Sequence, residues 1–182
     1  KYLVTKDELL SQIKVMLGGR SAEEVVFNEV TTGASNDIER ATQTARSMVT
    51  IYGMSDKFDM MALESVQNRY LDGRAVRDCS EETSTVIDKE VLNIIRTCHE
   101  ETKRLLTDNR DLLDEIANFL LDKETIFGNE FMDFVYNKYP ELKEENERKL
   151  REKNLSKSKV EEGLDNLSEE TSYIINIEKQ VS

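Results

Sequence analysis

The polar run Thr31-Thr32-Gly33-Ala34-Ser35-Asn36-Asp37 leads into a segment of helical periodicity, and its residue types are the ones best suited to chemistry. Ser35 or Asn36 is of the kind that caps a helix, which leaves Asp37 in the first turn. Unpaired amides and the helix dipole stabilise a carboxylate there. Spacing alone favours the plain reading, a helix-start aspartate. The sharper reading is a metal ligand, since zinc accepts a carboxylate oxygen beside imidazole nitrogens. The chain contains one histidine, His99, so a site with two imidazoles cannot be built from it alone. Glu23 and Glu24 are neighbouring carboxylates whose directions on a helix diverge by about 100°, so only one of them faces a given site. Read without further context, they are a partly solvated pair. Cys98-His99 reads as a core thiol beside an exposed imidazole rather than a ligand pair. Gly18-Gly19-Arg20 lacks the Lys-Ser/Thr and the preceding strand of a phosphate loop. Met60-Met61 reads as filler for gaps in a core.

These residues need a scaffold, and the pattern predicts helices. Thr5 and Glu8 form a capping box ahead of Leu9, Leu10, Ile13, Met16 and Leu17, and Gly18-Gly19 are expected to stop that helix. A short helix from Ser21 to Phe27 follows. Ile38, Ala41, Ala45, Met48, Val49 and Tyr52 share one helical face, with Gly53 suited to the left-handed turn after it. Residues 54–79 lack helical periodicity; Met60 to Leu63 are expected to form a short strand, and Asp72-Gly73 a turn. Ser80 caps the longest helix, whose stripe is Ile87, Val91, Ile94, Cys98, Thr102 and Leu105. Thr107-Asp108-Asn109 ends it. Leu112, Leu113, Ile116, Ala117 and Leu120 mark another helix, and Gly128-Asn129 precede a last one with Phe131, Phe134 and Val135. The expected fold is an all-α helical bundle of five to six helices, with a short strand or irregular segment near 58–73.

Composition narrows the class. Of 182 residues, 37 are Asp or Glu and 25 Lys or Arg, a net charge of −12 that argues against a general nucleic-acid binder. No apolar run approaches the roughly 18 residues needed to span a bilayer, and no signal peptide opens the sequence. Two cysteines, Cys79 and Cys98, are too few for a disulfide scaffold and suit a reducing compartment. Residues 138–182 hold nine basic and eleven acidic residues, so the acidity belongs to 1–137. The expected organisation is a helical domain at 1–137 and a charged tail at 138–182, disordered or a solvated helix. Leu142, Leu150, Leu155, Leu164 and Leu167 sustain no heptad.

Gly18-Gly19-Arg20-Ser21-Ala22-Glu23-Glu24, then Thr31-Thr32-Gly33-Ala34-Ser35-Asn36-Asp37-Ile38, then Ala41-Thr42 and Ala45-Arg46-Ser47-Met48-Val49 closely resemble the FtsH family. The likeness continues past Gly53-Met54-Ser55 and through Asp88, Glu90 and Val91 to Leu105-Leu106-Thr107-Asp108-Asn109, covering residues 3–137. The family comprises membrane-anchored, ATP-dependent zinc metalloproteases in which an AAA ATPase module precedes a helical peptidase domain. The resemblance implies zinc held by two histidines of a His-Glu-x-x-His helix and by the aspartate matching Asp37. Glu23 matches a carboxylate that contacts the metal-binding helix. No His-Glu-x-x-His occurs here: His99 precedes Glu100, but Lys103 stands where a second imidazole would be needed.

The resemblance therefore implies the C-terminal part of such a peptidase domain, with no catalytic residue of its own and a glutamate base supplied from upstream. The 182-residue chain by itself is expected to be inactive and to hold zinc weakly. The implied partners are an upstream AAA module that binds ATP, further copies in a hexamer, and protein substrates, with no nucleic acid. The implied place is the cytoplasmic side of a bacterial inner membrane, reached only through upstream segments. The competing reading is a non-catalytic interaction or oligomerisation module built on the helices of residues 80–137.

Overall fold

The computed structural model describes residues 3–66, 75–77 and 79–152. The expected turn at Asp72-Gly73 and the tail from 153 onward, with Leu155, Leu164 and Leu167, lie outside them. The chain packs as two compact units that divide after Arg110.

The first unit contains α1 (Lys6–Phe27), a 3-10 turn (Thr32–Ala34), α2 (Ser35–Thr50), strands β1 (Glu64–Val66) and β2 (Ala75–Arg77), and α3 (Glu81–Asp108). The strands form an antiparallel pair with Ser65 opposite Val76. The expected all-α architecture holds, with the hairpin as its minor irregularity. The α1, α2 and α3 helices pack on one another around Ile13, Leu17, Ala41, Ala45, Met48, Val49, Leu63, Ile87, Val91 and Cys98. Ala41 and Ala45 are fully buried, so α2 presents little side chain and comes close to its neighbours. The larger apolar groups, Ile13, Met48 and Ile87, fill the remaining space without exposure, each contributing about 1.5–3 kcal/mol.

Several expected boundaries are met. At the start of α1, Thr5 Oγ1 accepts from the Glu8 amide at 3.3 Å and Glu8 Oε2 accepts from the Thr5 amide at 2.9 Å, a reciprocal capping box. Ser80 Oγ accepts from the Thr83 amide at 3.3 Å at the start of α3. After α2, Gly53 takes a left-handed φ of 59°, and the Met54 amide reaches back to Met48 O at 2.9 Å.

Other expectations are corrected. Gly18-Gly19 do not stop the first helix: α1 runs through them to Phe27 and ends at left-handed Asn28. Two glycines cost about 1 kcal/mol each in a helix, and burial of Leu17 and Ser21 on either side outweighs that. Met60 to Leu63 are not a strand, since pairing begins at Glu64. Met60 and Met61 fill no core gap: they are 90% and 56% exposed, and Leu63 is the side chain turned inward. Leu105, expected on the α3 stripe, is 62% exposed because the core ends at Thr102. Tyr52 is likewise exposed, lying beyond the end of α2.

The second unit carries α4 (Arg110–Lys123), which begins at the division, α5 (Gly128–Lys138) and a helical stretch at 140–152. Phe119 and Phe134 meet edge to face at 5.2 Å between centroids, and Lys123 Nζ lies 4.6 Å from the Phe119 ring centre. Gly128 opens α5 rather than separating it, with Glu130 Oε2 accepting from the Phe127 amide at 3.0 Å. The 140–152 stretch is solvent-exposed except for half-buried Glu145.

Candidate functional site

Asp37 is the third residue of α2, half-buried, with its carboxylate in the first helical turn as its position predicts. The cap differs from expectation. Neither Ser35 nor Asn36 caps α2: the helix follows directly on the 3-10 turn, and the residue preceding it, Ala34, has no side-chain bond to offer. The capping function has moved upstream to Thr31, whose Oγ1 accepts from the Gly33 amide at 3.2 Å, while the Ser35 amide bonds to Thr32 O. The turn thus engages the amides of Gly33 and Ser35 ahead of the first turn of α2.

Glu23 is aimed at the same turn. Its Oε1 accepts from the Thr31 hydroxyl at 2.6 Å and its Oε2 from the Thr31 amide at 3.2 Å. Arg20, one helical turn earlier, donates from Nη2 to Thr31 O at 2.7 Å and sets its Nη1 3.6 Å from Glu23 Oε2. The α1 helix thus grips one residue of the loop that delivers Asp37. Arg110 Nη1 donates to Val25 O at 3.1 Å and so ties the last turn of α1 down. Arg20 and Thr31 stood inside the recognised motifs with no role assigned to them. The one local signal was the i, i+3 spacing of Arg20 and Glu23, which puts both on one face of α1.

Glu24 points elsewhere, as the helical angle required. It pairs with Lys103 Nζ at 2.8 Å and lies 3.3 Å from His99 Nε2, without the alignment of a hydrogen bond. His99 is thus half-buried against α1 rather than free in solvent, while Cys98 is buried as expected and burial pushes its thiol pKa up. The Lys103 hydrogen bond, helped by the charges of His99, Lys103 and Arg20, holds the Glu24 carboxyl below the usual glutamate range. The two Thr31 bonds do the same for Glu23. Both carboxyls are depressed in the folded state, so their contribution is complete above the ordinary carboxylate range, roughly pH 4–5, and is lost as pH falls through the depressed values. Thermal melts between neutral pH and about pH 3 should therefore fall more steeply for the wild type than for Glu24→Gln. Parallel slopes would show that the Glu24 contacts add nothing.

A third polar group locks α2 to the hairpin. Glu64 is only 8% exposed, and its Oε1 and Oε2 take Arg46 Nη1 at 3.2 Å and the Thr50 hydroxyl at 3.0 Å. Arg46 Nη2 continues to Asp88 on α3 at 2.5 Å. Removing the cation strands a buried carboxylate, so Arg46→Met should cost roughly 2 kcal/mol in chemical denaturation. Replacing Glu64 as well, by Gln, should recover part of that. An Arg46→Met chain of unchanged stability would mean that water serves Glu64 equally well.

The donors fit zinc only in part. Asp37 offers a hard oxygen that makes no hydrogen bond or ion pair with any other described residue, which suits a ligand. No cluster of three or more His, Cys, Asp or Glu side chains able to hold a metal occurs among the described residues.

The described residues form a helical bundle that presents one carboxylate, Asp37, at a helix start gripped from α1. The sequence pattern of peptidase family M41 matches residues 1–134, and the chain belongs to that family. It is 62% identical over 165 residues to the ATP-dependent zinc metalloprotease FtsH of Clostridium perfringens, an alignment covering 87% of this chain and 23% of that protein. It is 50% identical over 135 residues to the FtsH of Lancefieldella parvula, covering 74% of this chain and 21% of that one. With the FtsH of Thermotoga maritima it shares 42% over 147 residues, 79% of this chain and 24% of the other. The chain spans about a fifth to a quarter of the length of these relatives.

Proposed function

We propose that this chain is part of the peptidase domain of an ATP-dependent zinc metalloprotease that degrades proteins, and that it supplies one zinc ligand, Asp37, together with the scaffold that aims it. The observation that carries this is the Asp37 carboxylate in the first turn of α2, without a partner among the described residues, within a chain of family M41. When bound, zinc supplies the Lewis acidity that makes a coordinated water acidic near neutral pH. The chain's own residues hold position. Asp37 presents a carboxylate favoured by the positive end of the α2 dipole, α1 and α3 pack against α2, and Glu23 bonds to Thr31 in the loop that precedes it. The two imidazoles, the glutamate that takes the proton and the ATPase module come from outside these 182 residues. Membrane anchoring, hexamer formation and a position on the cytoplasmic face belong to the same proposal, which builds on relatives that are ATP-dependent zinc metalloproteases. No helix among the described residues is long and apolar enough to cross a membrane.

The test compares the 182-residue chain with a longer protein that also carries the His-Glu-x-x-His helix and the ATPase module. The longer protein should degrade an unfolded substrate with zinc and ATP, and a chelator should stop it; the shorter chain should do nothing. Chelator-sensitive proteolysis by the pure shorter chain would overturn the division of ligands. It would point instead to a complete site within residues 1–182.

A further inference from the structure

We infer that Arg20, Glu23 and Thr31 form a clamp whose purpose is to set the direction of Asp37, making them positioning residues for the metal site. The inference rests on the reading of Asp37 as a ligand given above.

Thr31 is an exposed loop residue, and water would serve its polar groups without help from the protein. Instead every one of them is engaged. Its amide and hydroxyl both donate to the Glu23 carboxylate, its carbonyl accepts from Arg20, and its hydroxyl oxygen also accepts from the Gly33 amide. The two α1 side chains that do this are themselves 17% and 27% exposed, so they are held rather than waving in solvent. From Thr31 the path to Asp37 is short and stiff. Gly33 folds back on the Thr31 hydroxyl, a Cβ at Gly33 would already sit 3.4 Å from it, and Ser35 bonds to Thr32 O as α2 begins. Asp37 follows two residues later.

The start of a helix is otherwise its most easily frayed part. With no Ser35 or Asn36 cap, the register of this helix start depends on the 3-10 turn, and the turn depends on the clamp. A ligand must be held within a fraction of an ångström of productive geometry, so a supporting grip of this kind is what a metal ligand on a loop-to-helix junction requires. Glu23 acts here through Thr31; its two oxygens retain lone pairs for one further donor.

The experiment uses Thr31→Val, which keeps the shape and removes the hydroxyl, Arg20→Gln, and Thr31→Ser as the conservative variant. Asp37→Asn serves as the reference. In the 182-residue chain, Thr31→Val should speed amide exchange at Gly33 and Ser35 while leaving Cys98 and Thr102 on α3 unchanged. In the longer protein that carries the histidine helix, Thr31→Val and Arg20→Gln should each weaken zinc binding, measured by chelator competition, by about tenfold. They should lower kcat with KM for peptide unchanged, and Thr31→Ser should restore both. If Thr31→Val and Arg20→Gln lower the melting temperature but leave zinc affinity and kcat intact while Asp37→Asn loses both, the clamp is a loop anchor and the inference fails alone. If Asp37→Asn itself keeps its zinc, the ligand reading fails and the inference falls with it.

Discussion

In a protein that carries both this chain and the His-Glu-x-x-His helix, Asp37→Asn should abolish zinc-dependent proteolysis and weaken zinc binding by at least about tenfold. The substitution keeps size and hydrogen-bonding ability, so α2 and its 3-10 turn should survive. What changes is the donor: an anionic oxygen becomes a neutral amide, a poor match for a divalent cation. Asp37 has no hydrogen bond or ion pair to another described residue, so the amide breaks no contact that could unfold the bundle. Folding and metal binding are therefore separable, and circular dichroism of the variant should overlay the wild type. ATP hydrolysis should stay within a few-fold, because no residue proposed here for the nucleotide lies in this chain. Full proteolysis and full zinc occupancy in Asp37→Asn would reduce Asp37 to a helix-start aspartate and make Glu23 the next ligand to test.

Ile87→Ala should be the most damaging single change to the bundle. Ile87 is fully buried and sits with Val91 and Cys98 on the face of α3 turned toward α1 and α2. Truncation to Ala removes three carbons from a site whose neighbours lie on different helices and cannot all move in. The expected loss is about 3 kcal/mol, within the range for buried aliphatic truncations, which for a unit near 100 residues lowers the melting temperature by roughly 10–20 °C. Leu92, on the same helix but 54% exposed, is the control. Leu92→Ala should change stability by no more than about 0.5 kcal/mol. Equal effects at the two positions would mean that Leu92 is covered in solution or that α3 faces the other way.

The features read correctly from the sequence are those that short-range chemistry decides. The Thr5-Glu8 box, the Ser80 cap and the left-handed Gly53 each depend on a few consecutive residues, and each stands where the sequence puts it. The buried faces of α2 and α3 were legible for a related reason: with 3.6 residues per turn, Ala41, Ala45 and Met48 fall on one side of α2 and Ile87, Val91 and Cys98 on one side of α3, and such an apolar stripe is buried against a core. Asp37 was found by its motif, and its place in the first turn of α2 needed nothing beyond the helix start.

Tertiary structure decided the rest, because the energies that decide it come from residues distant in the chain. Local propensity would end α1 at Gly18-Gly19, yet burial of Leu17 and Ser21 against the bundle carries it on to Phe27. That continuation is what brings Arg20 and Glu23 to Thr31, so the grip on the Asp37 loop exists only because packing overrode the glycines. Ser35 and Asn36 looked like caps, and lost that role to a turn secured from another helix. Met60 and Met61 are as apolar as Leu63, and nothing local distinguishes them; the bond from the Leu63 amide to Thr50 O selects which one turns inward. Glu64 was no candidate at all, since a carboxylate is buried only where a cation and a hydroxyl await it, and Arg46 and Thr50 meet it through the fold alone. Sequence by itself determined the helices and their inward faces; the tertiary structure decided where they stop and which polar groups they bring together, because those choices are made by contacts between segments.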